Sequence, residues 1–418
     1  MTTWSELPKL PPSSTPRPQE VTWATEARLL LALICGWLTF GLGMLFSASL
    51  AEGIKEHGNA FFFIIRQLGF AGLGIGLMVM ISKTSVDRLF TYARLSFVPL
   101  LLAVFLVRVP NIGSQLNGAS RWIQFYGISI QPSELIKPCL LLIGAFLFAR
   151  WRFLNFQMRI YGLASILLTI AGIAIQPDLG TSVLLFLVLL LMAIISSNIR
   201  LAWIFSTTLA VAALAVLKIG STPYQSKRIT AFTNPWENAQ SLSFQLIQSQ
   251  VAVSNGSLWG TGFGLSVQKV GFLPYSYSDF IFAVISEEFG LIGSVIFILF
   301  LLSFLIVGLR VAVRCADPIR RLLAAGSTFL LVGQSFLHIA VVIGAVPPKG
   351  IPLPLVSYGG SGLIASLVCC GLLIRSAREM YAPVTQLRVA EPSVPKFRRR
   401  RRSSNLSRNT QVELRKIL

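Results

Sequence analysis

Charged residues and histidine are scarce in this chain. Asp, Glu, Lys and Arg together make up 12% of its 418 residues, about half the roughly 25% of an ordinary soluble domain. A water-facing surface of this size cannot be built from so few charges, which excludes a soluble globular protein. Only two histidines are present, His57 and His338, so a histidine-rich metal centre is excluded as well. The five cysteines, Cys35, Cys139, Cys315, Cys369 and Cys370, have no metal-ligand spacing and read as small apolar residues. Residues 1–26 are polar and Pro-rich and contain no apolar core of a cleaved signal. They read as a disordered tail, with the first apolar segment an uncleaved anchor. No repeat of fixed period is visible.

Hydrophobic residues, by contrast, make up 54% of the chain, and the mean hydropathy is +0.70. Apolar runs lie near 27–49, 61–82, 93–109, 131–149, 158–176, 180–197, 201–219, 280–309, 321–346 and 355–375. A membrane-spanning helix needs about 20 such residues, and lipid leaves the backbone no hydrogen-bond partner but its own. The expectation is an all-α integral membrane protein of about ten transmembrane helices. Its fifth and sixth helices form a hairpin through Gln176-Pro177-Asp178-Leu179-Gly180. The membrane domain covers 27–380, with a large outer loop, 220–279, between helices 7 and 8. A basic tail, 381–418, follows.

The formal charge of +20 raises the question of nucleic acid, but its distribution argues otherwise. Much of the excess lies in the arginine run 398–402 and in short loops holding Lys83, Arg88, Arg94, Arg150, Arg152, Arg159, Arg200, Arg310, Arg314, Arg320 and Arg321. The positive-inside bias places these loops, and both termini, in the cytoplasm. A basic tail beside a membrane suits anionic lipid or a partner protein, and no nucleic-acid partner is expected. The opposite face then carries the segments near 109–130, 220–279 and 346–356, where function is expected.

Ionisable groups within or at the edge of spanning helices are costly and are functional candidates. Asp279 starts the eighth helix at the outer face. It reads either as an N-terminal carboxylate worth roughly 1 kcal/mol to the helix or as a base partly shielded from water. Glu287 and Glu288 lie two to three turns deeper and line the bundle interior, where a structural role is expected. Glu134 and Lys137, three residues apart after Pro132, read as an intramembrane ion pair. The amphipathic stretch 244–253, which contains Gln248, reads as a short interfacial helix followed by a glycine-rich turn. Arg121 lies in a polar turn, and a proline-rich loop, 347–354, carries Lys349. With Lys227, Arg228 and Lys269 these cations surround a single acid, an arrangement suited to an anionic, phosphate-bearing substrate. Each lysine taken singly reads equally well as a solvated loop residue.

Five separated motifs occur in order: Gly118-Ala119-Ser120-Arg121-Trp122, Gln131-Pro132-Ser133-Glu134, Gln176-Pro177-Asp178-Leu179-Gly180-Thr181, Asp279-Phe280-Ile281-Phe282-Ala283 and Ser357-Tyr358-Gly359-Gly360-Ser361. Through them the chain resembles the SEDS family of shape, elongation, division and sporulation proteins, over about residues 30–380. The stretch 230–237, Leu258-Trp259-Gly260, Ser266-Val267-Gln268-Lys269 and Pro348-Lys349-Gly350 look more like the division branch than the elongation branch, which commonly has Thr in place of Lys349. The resemblance implies a glycosyltransferase that polymerises lipid II, an undecaprenyl-pyrophosphate disaccharide-pentapeptide, in the bacterial cytoplasmic membrane at the septum. It implies Asp279 as the essential acid and general base. Substrate contacts are expected from Arg121, Lys227, Arg228, Gln248, Lys269, Lys349 and Ser357. A class B penicillin-binding transpeptidase, other division proteins and membrane lipid are the implied partners. The sequence holds no metal cage, which leaves room for a divalent cation, magnesium or manganese, bound with the lipid pyrophosphate. One departure stands out. The family pattern Pro-Glu-x-His-Thr-Asp reads Pro274-Tyr275-Ser276-Tyr277-Ser278-Asp279 here. The alternatives are a lipid II flippase, which makes no bond, a scaffold that recruits a transpeptidase without catalysis, or an elongation-type polymerase. Polar clusters gathered at one face favour an enzyme, whereas alternating access calls for a midplane site.

Overall fold

The computed structural model describes residues 25–109, 113–116, 119–125, 128–176, 178–199, 205–209, 232–239 and 243–380. Its long helices are α1 (Thr25–His57), α2 (Phe62–Lys83), α3 (Val86–Leu106), α4 (Pro132–Ala149), α5 (Phe156–Ile175), α6 (Leu179–Ser196), α8 (Ile281–Arg314), α9 (Pro318–Val342) and α10 (Gly360–Arg378); a shorter α7 covers Phe244–Asn255. Among the described residues, nine helices are long and apolar enough to cross a membrane. The protein is a multi-pass membrane protein. The run 201–219 expected as the seventh span lies outside the described residues except for 205–209, which is helical. The expected tails lie outside them too, apart from Thr25 and Glu26, which open α1.

Local sequence explains where the helices begin. Asn155 accepts from Met158 N at 2.8 Å to cap α5, and Asp178 accepts from Thr181 N at 3.2 Å to cap α6. Asp317 caps α9, with Pro318 in its first turn. Such caps satisfy amides that the helix leaves unpaired. The centre of the bundle is α4, α9 and α10, whose faces bury Leu140, Leu141, Leu323, Ala324, Leu372 and Leu373. The flanks of α2, α3 and α5 expose Leu68, Leu73, Leu95, Leu102 and Leu167, as a lipid-facing surface requires. Trp37 of α1 packs edge-on against Phe300 and Phe304 at 5.9 and 5.3 Å, joining α1 to α8.

Two features depart from the expected bundle of plain helices. First, the segment after α3 is a three-stranded antiparallel sheet: β1 (Gly113–Leu116), β2 (Ala119–Phe125) and β3 (Ile128–Ile130), in that order. Ser114 pairs with Trp122, and Ile123 with Ile130. Outside the hydrocarbon the backbone has alternatives to the helix, so the constraint that made every other segment helical does not hold here.

Second, α8 is not one continuous span. Gly290 has φ 66° and ψ −163°, which breaks the helix. Ser294 Oγ donates to Ser286 Oγ at 3.1 Å, and the rings of Phe282 and Phe297 are 6.1 Å apart. In a straight helix these pairs would be separated by about 12 and 22 Å along the axis. The short arm, 281–289, therefore folds back on the long arm, 291–314. A broken helix in a membrane leaves costly unpaired backbone groups, and here the preceding loop takes them up. Thr261 N donates to Glu287 O (2.9 Å), Gly262 N to Glu288 O (3.0 Å), Leu291 N to Ser257 O (2.9 Å) and Ile292 N to Leu258 O (3.2 Å). Glu287 and Glu288 thus stand at the bend, not two to three turns down a straight helix as their spacing suggested.

Candidate active site

Asp279 lies one residue before Phe280, the N-cap position of the short arm, and is half-buried. The turn leading to it is tight: Tyr275 is left-handed (φ 58°), and its carbonyl accepts from Ser278 N at 3.1 Å and Phe280 N at 3.3 Å. Facing Asp279 is Gly350 of the proline-rich loop. A Cβ at position 350 would stand 2.9 Å from Asp279 Oδ2 and 3.7 Å from Arg121 Nη1. The carboxylate, the guanidinium and this glycine therefore meet at one point.

Arg121, on β2, is itself buried and lies 4.0 Å from Asp178 Oδ1 through Nη1. Asp178 serves two ends at once, because the same oxygen caps α6, while its Oδ2 is buried without a hydrogen-bond partner among the described residues. Lys349 enters from the other side. A Cβ on Gly180 would come 2.9 Å from Lys349 Cδ, so the lysine stem crosses the first turn of α6. Sequence motifs far apart in the chain thus converge: Arg121, Asp178-Leu179-Gly180, Asp279 and Lys349-Gly350.

The loop 347–359 is held by side chains from α9 and α2. His338 Nδ1 pairs with Ile351 O at 2.8 Å, and Gln334 Nε2 donates to Pro352 O at 2.8 Å. Gln334 Oε1 in turn accepts from Lys137 Nζ (2.8 Å), which also donates to Glu134 Oε1 (2.6 Å). The expected Glu134–Lys137 pair is therefore formed, buried, and linked through Gln334 to the loop that carries Lys349. Ser357 Oγ donates to Ser278 O at 2.6 Å and accepts from Leu353 N at 2.8 Å. Tyr358 N donates to Tyr277 O at 3.0 Å, and Gln67 of α2 donates to Ser357 O at 3.1 Å. These bonds tie the segment just before Asp279 to the loop opposite it.

Tyr277 stands where the family pattern has His. Its ring packs 4.6 Å from Phe63 and 5.8 Å from Tyr358. Burial, followed by the charges of Glu56 and Glu52, pushes its hydroxyl well above the usual tyrosine range, so it stays neutral.

Other candidates fall elsewhere. Lys269, expected to face substrate, is buried and donates to Glu288 Oε1 at 2.6 Å and to Ser47 Oγ at 2.7 Å. Ser47 Oγ completes the triangle to Glu288 Oε1 at 2.6 Å. A lone loop cation reads the same in the sequence whether it binds substrate or pairs with a buried carboxylate, and only the fold separates the two. Glu287 accepts from Ser266 Oγ, from Asn255 Nδ2 (3.3 Å) and from the amides of Val267 and Gln268 (3.3 Å each). Both glutamates are therefore held in buried hydrogen-bond networks at the bend. Gln248 is half-buried on α7, a helix tied to α9 by Ser249 Oγ donating to Val342 O at 2.9 Å. Lys227 and Arg228 lie outside the described residues. The residues that sequence reasoning missed are Asp178, Gly180, Gly350 and Gln334. The first three were within quoted motifs, but only their convergence in space gives them a role.

The profile of the FtsW, RodA and SpoVE cell cycle proteins matches residues 27–382. The chain belongs to this family. Among its relatives, a probable peptidoglycan glycosyltransferase FtsW of Synechocystis sp. is 40% identical over 87% of this chain and 92% of its own. The stage V sporulation protein E of Bacillus subtilis is 35% identical over 85% and 98%. Among solved structures, a chain of a peptidoglycan synthase complex that coordinates polymerization and crosslinking superposes with a TM-score of 0.67 at 25% identity, over 87% of this chain and 99% of that one. Thermus thermophilus RodA shares the fold, with a TM-score of 0.62 at 24% identity over 88% and 100%.

Proposed function

We propose that the protein is a peptidoglycan glycosyltransferase that polymerises lipid II at the outer face of a bacterial cytoplasmic membrane, with Asp279 as general base. The observation that carries the proposal is the meeting of Asp279, Arg121 and Gly350 at one point, in a chain whose relatives are named as such enzymes. A sugar hydroxyl of the acceptor attacks the anomeric carbon of the donor and forms the new glycosidic bond. The anomeric C–O bond to the lipid pyrophosphate breaks, and the pyrophosphate leaves with the electron pair. Asp279 takes the hydroxyl proton as the bond forms. Attack in line with the leaving group inverts the anomeric centre, as in inverting glycosidases with a hydroxyl in place of water.

Arg121 and Lys349 supply positive charge where the pyrophosphate gathers negative charge. Arg121 suits this through its planar fork of donors, which Asp178 helps to hold. Gly350, having no side chain, lets the proline-rich loop approach the Asp279 carboxylate without crowding it. Among the described residues no three His, Cys, Asp or Glu side chains converge as a metal cage. The site therefore fits a divalent cation carried by the substrate's phosphates better than a resident one.

The basic short loops favour a cytoplasmic position for both termini. The FtsW names of the relatives favour division at the septum over elongation, and a class B penicillin-binding transpeptidase is the expected partner. The test is purified protein, alone and with that transpeptidase, supplied with labelled lipid II. Wild type is expected to give glycan chains and Asp279→Ala none, at an unchanged melting temperature. Polymer from Asp279→Ala at the wild-type rate overturns the base assignment. Translocation of lipid II across vesicles without polymer would make the protein a flippase.

A further inference from the structure

The loop that closes the bend of α8 has its polarity turned inside out. Within 256–272 Ser266, Gln268 and Lys269 are 2%, 7% and 6% exposed, whereas Trp259, Leu265 and Val270 are 79%, 64% and 59% exposed; of the polar residues, Ser257 and Thr261 are exposed. Leu258, Phe263 and Phe272 are more than half exposed as well. From Gly256 to Ser278 the sequence contains a single Asp, Glu, Lys, Arg or His, namely Lys269, and that cation is buried against Glu288 and Ser47. A water-facing segment of this length would carry several exposed charges.

The backbone follows the same rule. The amides of Gly260, Thr261, Gly262, Leu265, Val270 and Leu273 all donate to backbone carbonyls, and those of Val267, Gln268 and Lys269 donate to buried side-chain oxygens. These bonds remove much of the cost of placing irregular backbone near hydrocarbon, while the amides of Leu258, Trp259, Phe263 and Phe272 make no hydrogen bond among the described residues.

What covers the apolar face follows from what it adjoins. The loop pairs directly with the start of the long arm of α8 through Leu291 N and Ile292 N. Beyond these the long arm exposes Val295, Ile296 and Leu299. That arm is a membrane span, and its exposed flank faces lipid. The loop continues this surface with no charged rim between the two. A docking site for a soluble protein would carry such a polar rim.

We propose that residues 256–272 form a flap embedded in the outer leaflet, with Trp259, Leu265 and Val270 against phospholipid acyl chains. The flap seals the bend at Gly290 from the lipid side and so fixes the short arm that begins beside Asp279. It needs no assumption about the reaction.

The experiment places a nitroxide at each of Trp259→Cys, Leu265→Cys and Val270→Cys in a Cys35→Ser background, the remaining cysteines being buried or half-buried. The full chain is reconstituted in phosphatidylcholine–phosphatidylglycerol vesicles, and collisions with oxygen and with water-soluble nickel ethylenediaminediacetate are compared. Lys55→Cys, at an exposed position near the end of α1, is the aqueous control. Oxygen is expected to exceed the nickel complex severalfold at all three flap positions, with the reverse at Lys55. Nickel accessibility matching the Lys55 control would overturn the proposal, because the flap would then lie in water. Suppression of both collisions would overturn it too, because a second protein surface, such as another copy, would then cover the flap. Phe263→Cys provides a fourth position should one of the three variants fail to reconstitute.

Discussion

Asp178 holds Arg121 and caps α6 with one and the same oxygen: Oδ1 lies 4.0 Å from Arg121 Nη1 and accepts the Thr181 amide at 3.2 Å. The two roles separate under mutation. Asparagine caps a helix as well as aspartate does but carries no charge to hold a guanidinium. Asp178→Asn is therefore expected to lower kcat for lipid II polymerisation by about 10- to 100-fold, of the order of losing one oriented charged contact, with little change in melting temperature. Asp178→Ala should add a stability loss of about 1 kcal/mol from the missing cap. Equal activity of the Asn variant and wild type would show that Arg121 needs no such positioning.

Gly350 is required for space rather than for backbone freedom. Its Cβ position lies 2.9 Å from Asp279 Oδ2, inside normal contact distance. Gly350→Ala should push the carboxylate aside. A loss of polymerisation of about 100-fold is expected, since displacements of about 1 Å at a reacting group cost that much. Thermal unfolding should be nearly unchanged. Gly350→Ser, only slightly larger, should fall with it.

The Glu134–Lys137 pair is buried almost completely, at 3% and 2% side-chain exposure. Removing one charge strands the other, a loss of about 3–5 kcal/mol for a buried pair. Glu134→Gln is expected to lower the melting temperature in detergent sharply. Glu134→Gln combined with Lys137→Met should recover most of it, because no charge then remains unpaired. Since Gln334 links this pair to Pro352, the single variant should also weaken substrate binding, raising KM through the loop that carries Lys349.

Most of the bundle is legible in the sequence because lipid permits the backbone only one solution. Each apolar run of sufficient length had to be a helix, and among the described residues the runs and helices agree to within a few residues at most ends. The start of α3 is an exception. The helix begins at Val86, whereas the apolar run begins near 93, because Asp87, Arg88 and Arg94 mask its first two turns. The bend at Gly290 was invisible for the opposite reason. A lone glycine in an apolar run is ordinary in membrane helices, and nothing near it announces φ 66°. Lys269 and Asp178 show the limit for the site. The sequence placed Lys269 in an outer loop and Asp178 in the hairpin between the fifth and sixth helices, but that Lys269 meets Glu288 and Asp178 meets Arg121 depends on long-range pairing that no local pattern encodes.

Tyr277 makes a prediction about pH. The hydroxyl is held above the ordinary tyrosine value of 10.0, chiefly by burial and secondarily by Glu56 and Glu52. A raised value means the folded protein binds this proton more tightly than the unfolded chain does. The associated stability is therefore fully present below pH 10 and is lost only as the pH rises beyond it. Across pH 5 to 9 the residue makes no change of charge, unlike the histidine of the family pattern, whose ordinary value is about 6.5. Tyr277→Phe keeps the ring against Phe63 and Tyr358 and should leave the pH profile of kcat unaltered. Tyr277→His should add an ionisation near or below pH 6.5, since burial disfavours the charged ring. Polymerisation rates of the three proteins between pH 5 and 9 decide the matter. A wild-type profile that loses an inflection in Tyr277→Phe would mean that the tyrosine itself takes part in proton transfer.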